Sequence, residues 1–343
     1  MTRRRRQLRL AVPAALLLIV LVGITISSAD SRFSSVDPHA VGRIRPAQPL
    51  VRPAAVALTL RQRRIGTLPA PLQDAAAVSL GGERMVLLGG LDSSDTSTTT
   101  ITVLSAGHAS SDGRLPEAQH DAQGASLGGE IYVFGGGQFS SYDHILRFDP
   151  ASGRVSVVGH LPQPASDVAV TTLGGVAYIV GGYNGRRALD TILAWRPGGN
   201  PTVVGRLPAG LRYAAVAATD SKVVIAGGST EAGAASRAIL SFDPSTGRVT
   251  QIGSLPHPLT HASAASLHSA VFVIGGRGSA PGSQTAAILA IDPGSGRVRE
   301  VGRLALALSD AAIATVGEHI VLEGGQDTTG TQSSIFELTP AHG

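Results

Sequence analysis

The chain has 343 residues, 43 of them Gly and 20 Pro, with no Cys, aromatics at 4% and a formal net charge of +4. The lack of cysteine excludes disulfides, thiolate metal sites and thiol nucleophiles, and a Gly-rich, aromatic-poor composition fits many short strands and tight turns. The positive charge is local: residues 1–64 hold 12 Arg against two Asp, whereas residues 65–343 carry 16 basic and 22 acidic residues, a net of −6. Nucleic-acid binding by the body therefore loses its main support.

In chain order, Arg3 to Arg6 and Arg9 precede an apolar run from Leu10 to Ile26, followed by Ser27-Ser28-Ala29. Residues 1–29 read as a signal peptide or a signal-anchor transmembrane segment that leaves the arginines in the cytoplasm. The run exceeds an ordinary signal-peptide core of roughly 7–15 residues and only reaches the lower limit of about 17 for a membrane span. Retention as an anchor is the favoured expectation, with a secreted or periplasmic form after cleavage as the alternative. Residues 30–55 contain Pro38, Pro46, Pro49 and Pro53 among Arg and Ala without strand or helix periodicity, an extended spacer.

From residue 56 to 340 the chain repeats. Apolar runs end in Gly-Gly at Gly89, Gly135, Gly181, Gly227, Gly275 and Gly324, spaced 46, 46, 46, 48 and 49 residues. One supersecondary unit is copied six times. Each unit shows a small-residue strand such as Asp167 to Leu173, then the apolar strand, buried on both faces because polar alternation is absent. A third, alternating strand such as Ile145 to Phe148 leads into Asp149-Pro150-Ala151-Ser152-Gly153-Arg154, a bulged hairpin turn repeated from Asp243 and Asp292. The fourth strand closes on sequences such as Gly159-His160-Leu161-Pro162. After Gly325 only the segment from Ser333 to Leu338 still reads as a strand, while Val56 to Arg64 runs into Ile65-Gly66-Thr67-Leu68-Pro69, which matches the end of a fourth strand. The N-terminal strand is thus expected to complete the last unit.

Apolar strands ending in Gly-Gly, with aromatic-Asp-Pro turns at Phe148-Asp149-Pro150 and Phe242-Asp243-Pro244, resemble the Kelch repeat family of β-propellers, in its exported bacterial form. The resemblance covers residues 56–340 and implies an all-β, six-bladed Kelch-type propeller closed by an N-terminal strand. The family's Trp after the turn is replaced by Val155, Val249 and Val298.

Five residues beyond each recurring Pro, or at the equivalent position, stand Asp74, Asp121, Asp167, Tyr213, His261 and Asp310. They precede the innermost strands and are expected around one mouth of the channel. The resemblance gives such loops a ligand role, carried here to those six positions and to Asn184, Arg186, Arg187 and Arg212. The competing reading is local: turn aspartates often bond nearby backbone N–H groups. A ring of four carboxylates offers oxygens to a hard cation such as calcium, a weak alternative, but no EF-hand loop, His-Glu-x-x-His helix or nucleophile elbow appears, and no metal or other cofactor is expected. Glu323 occupies the position filled elsewhere by Leu88, Phe134, Val180, Ala226 and Ile274. A carboxylate there needs a partner such as Arg61, Arg63 or Arg64, or else is held neutral, and it is a weak catalytic candidate.

These readings combine into a noncatalytic binding or scaffold module outside the cytoplasmic membrane, presenting the channel-mouth loops to a protein, peptide or glycan, with no nucleic-acid partner. The alternative is a sugar-active enzyme resembling the periplasmic Kelch sialic-acid mutarotases, which needs only an acid and a base. Chemistry like that of galactose oxidase needs a cysteine-modified tyrosine and is excluded.

Overall fold

In the computed structural model, which describes residues 58–342, the repeats form antiparallel sheets, and no helix is present among the described residues. The leader, residues 1–29, and the spacer, residues 30–55, lie outside those residues. The unit beginning at Ala169 shows the plan: Ala169–Leu173, Val176–Val180, Thr191–Trp195 and Thr202–Arg206 pair in sequence order, innermost to outermost. Two further four-stranded sheets repeat it over residues 215–259 and 263–303. The first two units share the 20-residue strand His108–Leu127, outermost in one and innermost in the next, so they form one seven-stranded sheet. The remaining sheet is discontinuous in sequence. Ala312–Val316, His319–Glu323 and Ser334–His342 are joined by the N-terminal strand Leu58–Thr67, which pairs antiparallel with Ser334–His342.

The N-terminal strand repeats a device found in every outer strand. Gly113, Gly159, Gly205, Gly253 and Gly302 each stand opposite an isoleucine of the third strand beside a register shift, and Gly66 stands opposite Ile335 in the same way. A bulge at one fixed place bends each outer strand alike.

The alternation of the apolar second strands sends successive side chains to opposite neighbours. Val133 packs toward the preceding sheet with Val86 and Leu88, whereas Phe134 packs toward the following one with Ile179 and Trp195. Among the described residues six apolar clusters result, each between two adjacent units, and the last joins Val321 and Ile335 to Ala77, Met85 and Leu87 of the first unit. Trp195, 1% exposed, lies edge-on to Tyr132 and Phe134 at 4.9 and 5.4 Å, and its Nε1–H donates to the Gly199 carbonyl at 2.9 Å.

Gly-Gly is required where the sheets converge. The second glycine donates its N–H to a carbonyl of the next sheet, as Gly136 does to Ala165, and the last pair closes on the first sheet through Gly325 to Leu72, both at 2.9 Å. Gly135 has φ 62°, and a Cβ there would collide with the Ala165 carbonyl, so both conformation and space demand glycine.

Candidate functional site

Asp74, Asp121, Asp167, Tyr213, His261 and Asp310 all lie just before or at the start of the innermost strands, and all six adopt the left-handed conformation, with φ between 53° and 59°. That geometry suits Asp, whose short side chain tolerates it, better than Tyr or His. Their backbones are cyclically linked. Asp121 N–H donates to the Asp74 carbonyl, Asp167 to Asp121, Tyr213 to Asp167, His261 to Tyr213, Asp310 to His261 and Asp74 to Asp310, at 2.9–3.3 Å. Each bond contributes about 0.5–1.5 kcal/mol, which offsets the strain of a left-handed residue. The ring points its side chains into a cavity of about 100 Å³, walled below by Ala75, Ala214, Ala262 and Ala311. Those alanines directly follow ring residues, and they leave the mouth open.

Four carboxyl groups form one continuous arc, Asp310-Asp74-Asp121-Asp167, completed by the stacked pair Tyr213 and His261, whose ring centroids are 3.7 Å apart. Burial raises the Asp74 carboxyl well above the ordinary carboxylate range, reinforced by the charges of Asp310 and Asp121 and a hydrogen bond shared with Asp310. Asp121 is raised in the same way by burial and by Asp167, against the opposing hydrogen bond from the Tyr213 hydroxyl at 3.1 Å. Burial also raises Asp310, while Ser309, Arg277 and Asp74 pull it back. Asp74, Asp121 and Asp310 therefore bind protons more readily than free carboxylates, as close carboxyl pairs do.

Two arginines organise the rest. Arg212 pairs with Asp167, whose side chain is 2% exposed, donates to the Tyr213 hydroxyl at 3.2 Å and lies over the Tyr183 ring at 4.4 Å. Arg277 donates to His261 Nε2 at 3.2 Å, so that nitrogen is the acceptor and Nδ1–H faces Thr260 Oγ1 at 3.0 Å. Burial and the charges of Arg277 and Arg212 push His261 down to about 3, which leaves it neutral. Burial likewise lowers His120, which stands 3.5 Å from Asp121. The cavity thus offers carboxyl groups of raised proton affinity, a paired carboxylate and a guanidinium within one small space. Among the described residues no three carboxylate or imidazole groups converge as a metal-binding cluster.

The structure brings the six ring positions and Arg212 together but separates the other residues singled out in the sequence. Asn184 accepts from the N–H groups of Arg186 and Arg187 at 3.1 and 3.0 Å and donates to Gln163, so it shapes its own loop. Arg186 and Arg187 are exposed on that loop and do not line the cavity. Glu323 is 1% exposed and also outside the cavity lining. The expected arginine partner is absent: Arg63 pairs with Glu337 at 2.9 Å, Arg64 bonds Thr67 at 3.0 Å, and neither Glu323 oxygen has a hydrogen-bond partner. Strand register explains this, because Glu323 shares the face of Val321, which meets the first sheet, whereas the Arg63 side chain reaches Glu337 on the adjacent strand. Burial alone pushes Glu323 up to about 8. Arg277 and Tyr183, which set His261 and Arg212, were not singled out by sequence reasoning; their position directly after Gly-Gly, in the loop over the mouth, was the available signal.

Comparison with known proteins agrees with this architecture. A model of the Kelch motif matches residues 164–200. The structure titled "Structure of YjhT" is similar to this chain with a TM-score of 0.69, covering 80% of this chain and 99% of that one at 15% sequence identity. No curated protein sequence matches the chain. Fold and motif together define the protein as a Kelch-type β-propeller.

Proposed function

We propose that this chain is a six-bladed Kelch propeller, closed by its N-terminal strand, that acts as a noncatalytic binding module and takes its ligand at the channel mouth. The ligand is a protein, peptide or glycan, and the leader directs the propeller outside the cytoplasmic membrane. One observation carries the reading: six strained side-chain positions are tied into one hydrogen-bonded ring around a cavity. Backbone strain repeated at a single mouth is commonly retained for function. Asn tolerates the left-handed conformation, so Asp121→Asn tests the site without breaking the ring or the Arg212–Asp167 pair. Binding to peptide and glycan arrays is expected to fall while the unfolding temperature stays near that of the wild type. Unchanged binding rejects the mouth as the ligand face.

A second reading is a sugar-active enzyme similar to the Kelch sialic-acid mutarotases. It is favoured by Asp74, whose carboxyl burial raises well above the ordinary range, and the Arg212-paired Asp167 sharing one cavity, since anomer exchange needs one proton donor and one acceptor. NMR exchange measured on a panel of acidic sugars tests it; no acceleration over buffer removes the enzyme.

A further inference from the structure

Five units end the apolar second strand on a buried apolar residue, Leu88, Phe134, Val180, Ala226 or Ile274, and the last ends it on Glu323, 1% exposed with neither oxygen hydrogen-bonded. Glu323 pairs with Ala312 and Ile335 on the neighbouring strands of its own sheet, and its face meets Ala77, Met85 and Leu87 of the first. The same boundary is incompletely filled. A cavity of about 180 Å³ opens in it, walled by Met85, Leu104, Val316 and Val321, with Arg63, Glu83, His319 and Glu337 on its polar side. Val321 stands two residues before Glu323 on one strand, so along that face the cavity wall and the buried carboxyl are neighbours.

We propose that the boundary between the last sheet and the first is a proton-dependent latch: with Glu323 protonated the ring stays shut there, and loss of that proton opens this boundary ahead of the other five by drawing the carboxylate toward water. The inference is independent of which ligand the mouth takes. A buried charge without a partner is costly, so a carboxyl in this position keeps its proton or moves to solvent.

The charged and titratable groups of the packed elements are engaged elsewhere or face water. Ala312–Val316, Ala76–Gly81 and Thr98–Ser105 carry none. Arg63 pairs with Glu337 at 2.9 Å, His319 lies 3.7 Å from the other Glu337 oxygen, and Arg64 bonds Thr67 at 3.0 Å. Arg61, Arg84 and His108 are exposed, and Glu83 lines the cavity. Asp74 and Asp310, at the mouth end, share a hydrogen bond with each other. Burial alone raises the Glu323 carboxyl, to about 8, whereas in contact with water it ionises near 4.5. Between those values each opening of the boundary releases one proton, so opening grows more frequent as pH rises, and the effect is complete above about 8.

Six equivalent amides read the six boundaries. The second glycine N–H of each pair, at Gly90, Gly136, Gly182, Gly228, Gly276 and Gly325, donates to the carbonyl of Gln119, Ala165, Leu211, Leu259, Leu308 and Leu72 respectively, at 2.8–2.9 Å. The test is hydrogen exchange of these amides in the full chain at pH 5, 6 and 7, each rate divided by that of the unstructured peptide to leave the opening equilibrium. Opening at Gly325 is expected to rise about tenfold per pH unit more steeply than at the other five. Glu323→Leu, which restores the residue type of Leu88, is expected to remove that excess, and so is Glu323→Gln, which keeps size and polarity but cannot ionise. Asp74 and Asp310 also meet across this boundary, so the difference between wild type and variant assigns the effect to Glu323. Equal pH dependence at all six amides of the wild type overturns the latch, as does an excess at Gly325 that survives in both variants.

Discussion

Glu323→Leu places in the last sheet the residue type that Leu88 supplies in the first. Glu323 has both oxygens unpartnered at 1% exposure, on the strand face that packs against the first sheet. Below pH about 4.5 the side chain is protonated whether folded or not, and it imposes no charge penalty. As pH rises above that value the unfolded chain ionises while the folded one stays neutral, so stability falls until pH passes the folded value of about 8. At ~1.4 kcal/mol per pH unit, the loss reaches about 3 kcal/mol at pH 7 and about 5 kcal/mol at pH 9. Urea denaturation at pH 5, 7 and 9, followed by the fluorescence of the single tryptophan, Trp195, measures it. The difference between variant and wild type is expected to grow from under ~1 kcal/mol at pH 5 to several kcal/mol at pH 9. The difference cancels the other buried acids, whose carboxyls titrate in both proteins. A difference that does not change with pH refutes the reasoning.

Three other substitutions probe separate parts of the account. Gly135→Ala and Gly128→Ala introduce the same strain, both glycines having φ 62°, but only Gly135 faces a neighbouring carbonyl, while Gly128 has open space. Thermal unfolding is expected to show a loss of about 1 kcal/mol at Gly128 and a clearly larger one at Gly135; equal losses contradict the close-approach argument. Arg212→Met leaves Asp167 without its ion-pair partner at 4% exposure, and a loss of about 3–5 kcal/mol is expected; urea denaturation at pH 7 measures it, and an unchanged stability contradicts the pairing. Deleting Leu58–Thr67 bares the edge of Ser334–His342, and size-exclusion chromatography is expected to show aggregates, because exposed strand edges recruit one another. A monodisperse monomer contradicts the role given to that strand.

The all-β Kelch architecture was legible because its constraints are local. An apolar run without polar alternation, a glycine pair and an Asp-Pro-x-x-Gly turn each specify a strand or a turn by backbone conformation and burial. The pairing of the N-terminal strand with the C-terminal one was also readable, since Ile65-Gly66 repeats Val158-Gly159 and occupies the same bulge. The mouth was legible only in position. Four of its six residues are Asp, a type that tolerates a left-handed backbone, but Tyr213 and His261 do so with bulkier side chains and gave no such sign. Arg277 and Tyr183 act across a loop from the residues they hold, so sequence neighbourhood did not connect them. Glu323 was recognised as anomalous from its place in the repeat. Its missing partner depends on which face of the strand it shares, and that is decided by packing between the first and last sheets.

Amide hydrogen exchange of the six mouth residues tests the arrangement most directly. If each N–H of Asp74, Asp121, Asp167, Tyr213, His261 and Asp310 donates to the preceding ring member, the six are expected to exchange slowly, with similar protection in all of them. Rapid exchange at Asp74, whose N–H donates to the Asp310 carbonyl, with protection at the other five contradicts a mouth closed between the last sheet and the first.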